Sequence, residues 1–512
     1  MRSHVSSPGP GLAAAAAAIQ LTPRHRGTAL GICCISVLLV GIDMTAVNVA
    51  LPSIGREFHT GASGLSWTID AYTLVLAAFL MFSASAADRF GRKRVFRTGL
   101  VTFVSGSALC AVAPDLGWLV GFRMIQALGG SMLNPVAMAI LSHLYPERAQ
   151  RARAIGVWAG AIGLALALGP VVGGALVSSP LGWRWIFVIN IPIGLAAAIA
   201  ARWVVPESKA DHPRRFDPAG QVLVAAMLAC LTYGIIEGPR LGWSAPVIIA
   251  AFAVSAVSLA GIIWYEPRRS QPLLELRFFR SIPFSAANLI AVAAFAALGS
   301  FLYLNSIYLQ EARGYSALDT GLLILPLAVV SVIWGPVNGR VLARYGSRVP
   351  LALAGLALLA TGLILATVTT STSIIVLLVA YAAMGLGNSA VGAPITHTAV
   401  AGMPPAQAGV AAGVSSTARQ VGQTIGVAVA GATIAAVPIG HAQQLAVATH
   451  TGWWLIAAYG LTILILGILS TTAKAKATAE HALPATPPGT AADGRRDLHG
   501  GAATPSSTHQ SL

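Results

Sequence analysis

Charge is what this sequence lacks. Asp, Glu, Lys and Arg make up 10% of its 512 residues, where a soluble protein carries about a quarter. That excludes a single water-facing globule of this size. Carboxylates are the scarcer sign, 17 against 32 Lys and Arg, so each one inside an apolar run needs a reason. Cysteine is scarce too. Cys33, Cys34, Cys110 and Cys230 all lie in apolar runs, without CxxC spacing or a neighbouring His. They read as small packing residues, and neither a disulfide framework nor a metal site is expected. There is no GxSxG, HExxH or GxxxxGK[ST] motif and no soluble stretch large enough for an ATPase. The chain does not read as an enzyme, no cofactor is expected, and any work it does draws on an ion or substrate gradient.

What is there is apolar residue in blocks. Hydrophobic types make up 56% of the chain and fall in runs of about 20, the length of a membrane-spanning helix. Fourteen helices are predicted: 28–50, 65–87, 95–113, 116–140, 153–177, 184–204, 218–237, 245–265, 283–309, 317–339, 349–369, 372–395, 406–436 and 451–472. The expected fold class is all-α, spanning a membrane. An Ala/Gly/Pro-rich segment, 1–27, precedes the helices and an Ala/Thr/Pro/Gly-rich tail, 473–512, follows them; both read as disordered.

The positive charge has a side. Alternate connections, with both ends of the chain, hold 26 of the 32 Lys and Arg. The opposite connections hold only Arg56, Arg184, Arg240 and Arg313. By the positive-inside rule both termini are cytoplasmic, and the net charge of +15 needs no nucleic acid to explain it. There is also a repeat. "ASAADRFGRK" (84–93) and "GRVLARYGSR" (339–348) align with Gly91 on Gly346 and Arg89 on Arg344, and the same offset carries helix 1 onto helix 9. The chain therefore divides into a six-helix half at 28–204, two inserted helices with linkers at 205–280, and a second six-helix half at 281–472. A parallel repeat of this kind suggests a transporter that rocks around a central site.

Polar residues inside the predicted helices are the candidate site. Asp43, in "GIDMTAVNVALP", stands mid-helix, where a charge costs a few kcal/mol and faces a bundle interior or a cavity. Either it exchanges protons or it is a structural hydrogen-bonding Asp. Asp70, in "WTIDAYTL", is either a second acid near the same cavity or a favourable helix N-terminal carboxylate. Arg123 in helix 4, with Gln126 one turn on, either tunes such an acid or clamps helices together. In the turn "ADRFGRKR", Asp88, Arg89, Gly91 and Arg92 are either a charge latch between conformations or plain anchoring. Gly169, Pro170, Gly173 and Gly174 mark a bend and a close approach in helix 5, common in membrane packing as well. Helix 13 is too polar for lipid on every face; Arg419 and Gln423, with Asn48 in helix 1, are possible cavity-lining residues. Asp319 reads as a helix cap and Glu237 as interfacial.

At these residues the sequence resembles the major facilitator superfamily, specifically its fourteen-helix EmrB/QacA-type drug:proton antiporters. "DMTAVNVALP", "WTIDAYTL", "GWRWIFVINIPIG", "ADRFGRKR", "RMIQALGG" and "LGPVVGG" carry the likeness, over about 28–472. Small residues depart from the motifs at Ala84, Ala86, Ala127 and Ala165. The resemblance implies the major facilitator fold and export of hydrophobic, often cationic, compounds against protons. Asp43 and Arg123 would couple protons to substrate, Asp88 would gate, and the Gly169–Pro170 bend would mark an antiporter. Small molecules, protons and lipid are the expected partners, with no nucleic acid, a bacterial cytoplasmic membrane as the location and a monomer as the working unit. Two other classes stay open: a metabolite symporter or uniporter, and a membrane sensor without transport.

Overall fold

A computed structural model describes residues 22–210, 216–269, 275–400, 405–437 and 442–482. Among these there is no β-strand. The long helices, in chain order, are α1 Pro23–Phe58, α2 Ala62–Phe90, α3 Arg92–Ala111, α4 Leu116–Ser131 continued by Asn134–Leu144, α5 Arg148–Ser178 and α6 Trp185–Val188 continued by Asn190–Val204. Then come α7 Pro218–Leu241, α8 Pro246–Tyr265, α9 Ile282–Ile307, α10 Ala317–Leu323 continued by Leu325–Tyr345, α11 Arg348–Leu365, α12 Ile374–Ala399, α13 Pro405–Ile434 and α14 Ala442–Leu469. Twelve of them are long and apolar enough to cross a membrane. The two others are α3, which opens on Arg92, Lys93 and Arg94, and α13, which carries the polar stretch 415–423.

Local chemistry sets the ends. The Thr22 side chain caps α1, with Pro23 in the first turn, and Asp115 caps α4 through the Trp118 N–H at 3.0 Å. Asp319 closes a capping box with Ser316 at the start of α10, as its position suggested. The breaks in α4, α6 and α10 each lie beside a proline, Pro135, Pro192 and Pro326, which removes a backbone hydrogen bond.

Two expected boundaries move. Residues 23–27, expected within a disordered N-terminal segment, form the first turn of α1, and residues 1–21 lie outside the described part. The tail expected from 473 opens with one more helix, α15 Ala473–Ala482. Its run of Ala, Lys and Glu has high helix propensity, and its Thr478 hydroxyl accepts the Ile282 N–H at the start of α9, at 3.0 Å. Residues 483–512 lie outside the described part.

The repeat is visible in the backbone. His59 and Gly314 both take positive φ, and so do Gly91 and Gly346; each pair is separated by the 255-residue offset. Packing repeats as well. α1 lies along α5 as α9 lies along α13; α3 packs on α4 and α6 as α11 packs on α12 and α14. Between the two groups, α2 crosses α13 and α10 crosses α5, contacts that exchange under the same offset. α7 pairs with α8 and lies over both α2 and α13.

Candidate functional site

Asp43 and Arg123 meet in the interior of α1–α6, 0% and 1% exposed. The Arg123 Nη1 donates to Asp43 Oδ2 at 2.5 Å and to Gln126 Oε1 at 2.8 Å. Gln126 Nε2 donates to the other carboxylate oxygen at 2.9 Å, and Asn190 Nδ2 reaches the same oxygen at 3.2 Å. Ser107 accepts from both amides, at 3.2 and 3.1 Å, and donates to the Phe187 carbonyl at 2.9 Å. Arg123 Nε donates to the Thr68 carbonyl at 3.3 Å, and the guanidinium carbon lies 4.2 Å from the Tyr72 ring centroid. Five helices, α1, α2, α3, α4 and α6, thus converge on one carboxylate. Both charges are paired and both Asp43 oxygens are satisfied, which makes a buried ion pair tolerable.

Arg123 and Gln126 share a face as their spacing suggested, and Asp43 meets both. Asp70 is not with them. It is also 0% exposed, but it belongs to the face of α2 that meets α13. One carboxyl oxygen accepts from Thr73 at 3.4 Å, and Thr73 in turn accepts from Thr424 of α13 at 2.8 Å. The other oxygen has no hydrogen-bond partner. The alternative reading of Asp70 as a helix N-terminal carboxylate also fails, because α2 begins at Ala62, two turns earlier. Asn48 stays apart as well, bonding back to the Met44 carbonyl at 2.9 Å.

The chain matches the Major Facilitator Superfamily over residues 33–427. It belongs to that superfamily. It is 37% identical over 402 residues to "Multidrug resistance protein Stp" of Mycobacterium tuberculosis (strain ATCC 25618 / H37Rv), covering 78% of this chain and 74% of the relative. It is 33% identical over 403 residues to the "Tetracenomycin C resistance and export protein" of Streptomyces glaucescens, with the same coverage. A crystal structure of the peptide transporter POT in complex with sulfate aligns at a TM-score of 0.66, over 91% of this chain and 99% of that one. At 15% identity this last likeness speaks for the fold alone.

In this superfamily member the 88–92 turn is tied locally. Arg92 pairs with Asp88 at 3.0 Å, and Arg89 stacks over Phe216 with its guanidinium 5.3 Å from the ring centroid. Glu207, which the sequence did not single out, accepts the Lys93 N–H at 3.1 Å. A Cβ on Gly91, at φ +110, would run into that carboxylate.

On α5, Pro170 stands inside the helix and the glycines mark contact surfaces. A Cβ on Gly169 would strike Thr45 of α1, one on Gly173 would strike Ala46, and one on Gly174 would strike the α10 backbone at Ala317. The stretch therefore joins α5 to its own group and to the other one.

On α13, Gln423 is buried against Gly299 of α9. Arg419 is partly exposed and donates through Nη2 to Thr396 of α12 at 3.2 Å; its Nε has no partner.

Sequence reasoning missed Asn190, Ser107 and the Thr68 carbonyl. Asn190 lies in the quoted "GWRWIFVINIPIG", the one available hint. It also missed the end of the bundle where α1 and α9 finish. There Arg56 pairs with Glu311 at 3.0 Å and Gln310 donates to the Val49 carbonyl at 2.9 Å. Glu237, in the last turn of α7, is buried: it accepts from Ser63 at 2.7 Å and Trp67 at 2.9 Å, which fastens α7 to α2.

Proposed function

We propose that this chain is a proton-coupled exporter of drugs or of an endogenous secondary metabolite in a bacterial cytoplasmic membrane. Hydrophobic, often cationic compounds leave in exchange for protons. The observation that carries the reading is the buried Asp43–Arg123 pair. Relatives named for multidrug resistance and for antibiotic export support it.

A proton arriving on Asp43 removes the charge that Arg123 faces. The guanidinium then keeps only neutral acceptors, Gln126 Oε1 and the Thr68 carbonyl. The attraction that joins α1 to α4 falls, and the first helix is freer to shift. Loss of the proton restores the pair. The carboxylate thereby converts proton binding into a difference between two packings, which is what coupling requires. One charge carried through 100 mV is worth about 2.3 kcal/mol. Asp70, with no ion pair among the described residues, serves as a second proton site on the seam between α2 and α13. The 88–92 turn acts as the gate.

In this reading α1–α6 and α9–α14 are two six-span halves that rock against each other, and α7 and α8 are the inserted pair. Counting α3 and α13 as spans gives the fourteen-helix drug:proton antiporter type, with both termini cytoplasmic.

The test is Asp43→Asn in proteoliposomes carrying an imposed pH gradient. The variant should insert and elute as wild type does, yet lose gradient-driven export of a cationic dye. Export at the wild-type rate would show that the proton is carried elsewhere.

A further inference from the structure

We propose that Arg419 is an anion-recognising residue of the transport pathway, and that the transporter accepts compounds bearing a carboxylate or phenolate through it. This rests on the reading of the chain as an exporter and names a substrate class for it.

The argument begins from what can neutralise Arg419. From Ile282 to Leu469 the sequence contains two acids, Glu311 and Asp319. Both are committed elsewhere, Glu311 to Arg56 and Asp319 to the capping box with Ser316. Among the described residues no carboxylate forms an ion pair with Arg419. Its one hydrogen bond goes to a neutral hydroxyl, that of Thr396.

Lipid does not supply the partner. Arg419 lies about 20 Å along α13 from Pro405, at 1.5 Å per residue, beyond the reach of an arginine side chain to a headgroup. Nor is this stretch of α13 sealed in the protein. Residues 416–421 are all partly exposed, whereas 422–424 are buried. Charged residues at such depth face the bundle interior or a water-filled cavity, where they pair with another charge or a backbone carbonyl, and they mark substrate pathways. Thr417 Oγ1 and Gln420 Oε1, on the same turns, also lack partners. A guanidinium offers a planar fork of N–H donors matched to a carboxylate, and it stacks on flat conjugated anions. Arg123 cannot play this part, because its fork is already filled by Asp43, Gln126 and the Thr68 carbonyl.

The experiment compares two xanthene dyes of similar shape and opposite charge, fluorescein and rhodamine 6G. Binding is read by fluorescence polarisation on the full-length protein, and export is read in proteoliposomes. Wild type should bind both. Arg419→Gln should lower affinity for fluorescein relative to rhodamine 6G by about tenfold or more, the value of one charge-assisted hydrogen bond. Arg419→Lys should recover part of that ratio. Wild type that binds rhodamine 6G but not fluorescein overturns the proposal and leaves the export reading intact. An equal fall for both dyes in Arg419→Gln also overturns it, since that marks a clamp between α12 and α13. Fluorescein binding that depends on Arg419, with export of neither dye, keeps the anion site and overturns the export reading.

Discussion

Arg123 and Arg419 both lie mid-helix in this transporter, and they are held in opposite ways. Arg123 is 1% exposed, paired with Asp43, bonded to Gln126 and the Thr68 carbonyl, and stacked over Tyr72. Arg419 is partly exposed, bonded only to Thr396, and faces no acid among the described residues. The surrounding helices follow one plan twice, down to paired positive-φ residues 255 apart. Charge does not follow that plan. The residue one repeat beyond Asp43 is Leu298, buried and apolar, and the second group keeps a neutral pair in its core, Tyr381 donating to Asn305. A shared backbone thus carries a self-compensated charge pair in one group and an uncompensated cation in the other. Compensation suits a site that must stay buried; its absence suits one that meets an outside charge.

The largest effect expected from this contrast comes from breaking the compensated pair. Asp43→Leu leaves Arg123 buried without an acid and should cost about 3–5 kcal/mol, read as a fall in thermal stability of the reconstituted protein. Adding Arg123→Met should return stability to within about 1 kcal/mol of wild type, because an apolar pair of similar volume is often neutral. The double variant should still fail to export against a pH gradient. A stable single variant would mean that Arg123 finds other charge, and the contrast with Arg419 would collapse. Asn190→Leu comes next. It removes one of three donors to Asp43 and leaves the ion pair, so about 1–3 kcal/mol is expected from the same measurement.

These two positions also mark what the sequence could and could not say. A carboxylate and a guanidinium in apolar helices are conspicuous, because lipid penalises them. Asp43 and Arg123 were therefore legible, and Gln126 followed from the helical spacing. Asn190 and Ser107 were not, since neutral hydrogen bonders are common in membrane helices and only the fold brings α3, α6 and α1 together. Asp70 was visible as a charge, but its partner helix was not: α2 turns that face to α13, more than 350 residues away in sequence. The repeat was readable from one loop motif. Its consequence at Arg56 and Glu311 required the packing of α1 on α9.

Arg419→Met should cost far less than Asp43→Leu. The side chain has one neutral partner and no ion pair among the described residues, so its removal strands no opposite charge. About 1 kcal/mol or less is expected, measured in the same stability assay. A loss as large as that of Asp43→Leu would point to a concealed acid and would make the two arginines alike.

The smallest effect belongs to the Arg56–Glu311 ion pair, which joins the end of α1 to the turn that follows α9. Arg56 is 61% exposed and Glu311 11%, so water competes for the guanidinium and salt screens it. A double-mutant cycle with Arg56→Ala and Glu311→Gln should return a coupling energy below about 1 kcal/mol, as exposed pairs do. The same cycle with Asp43→Asn and Arg123→Gln should return several times more, since neither group there has water to fall back on. The two cycles share a fold, a chemistry and a measurement, and differ in burial. Equal coupling in both would mean that burial is not what distinguishes the Asp43 site. A tenfold rise in salt should shrink the first value and leave the second unmoved, which separates a screened contact from a sealed one.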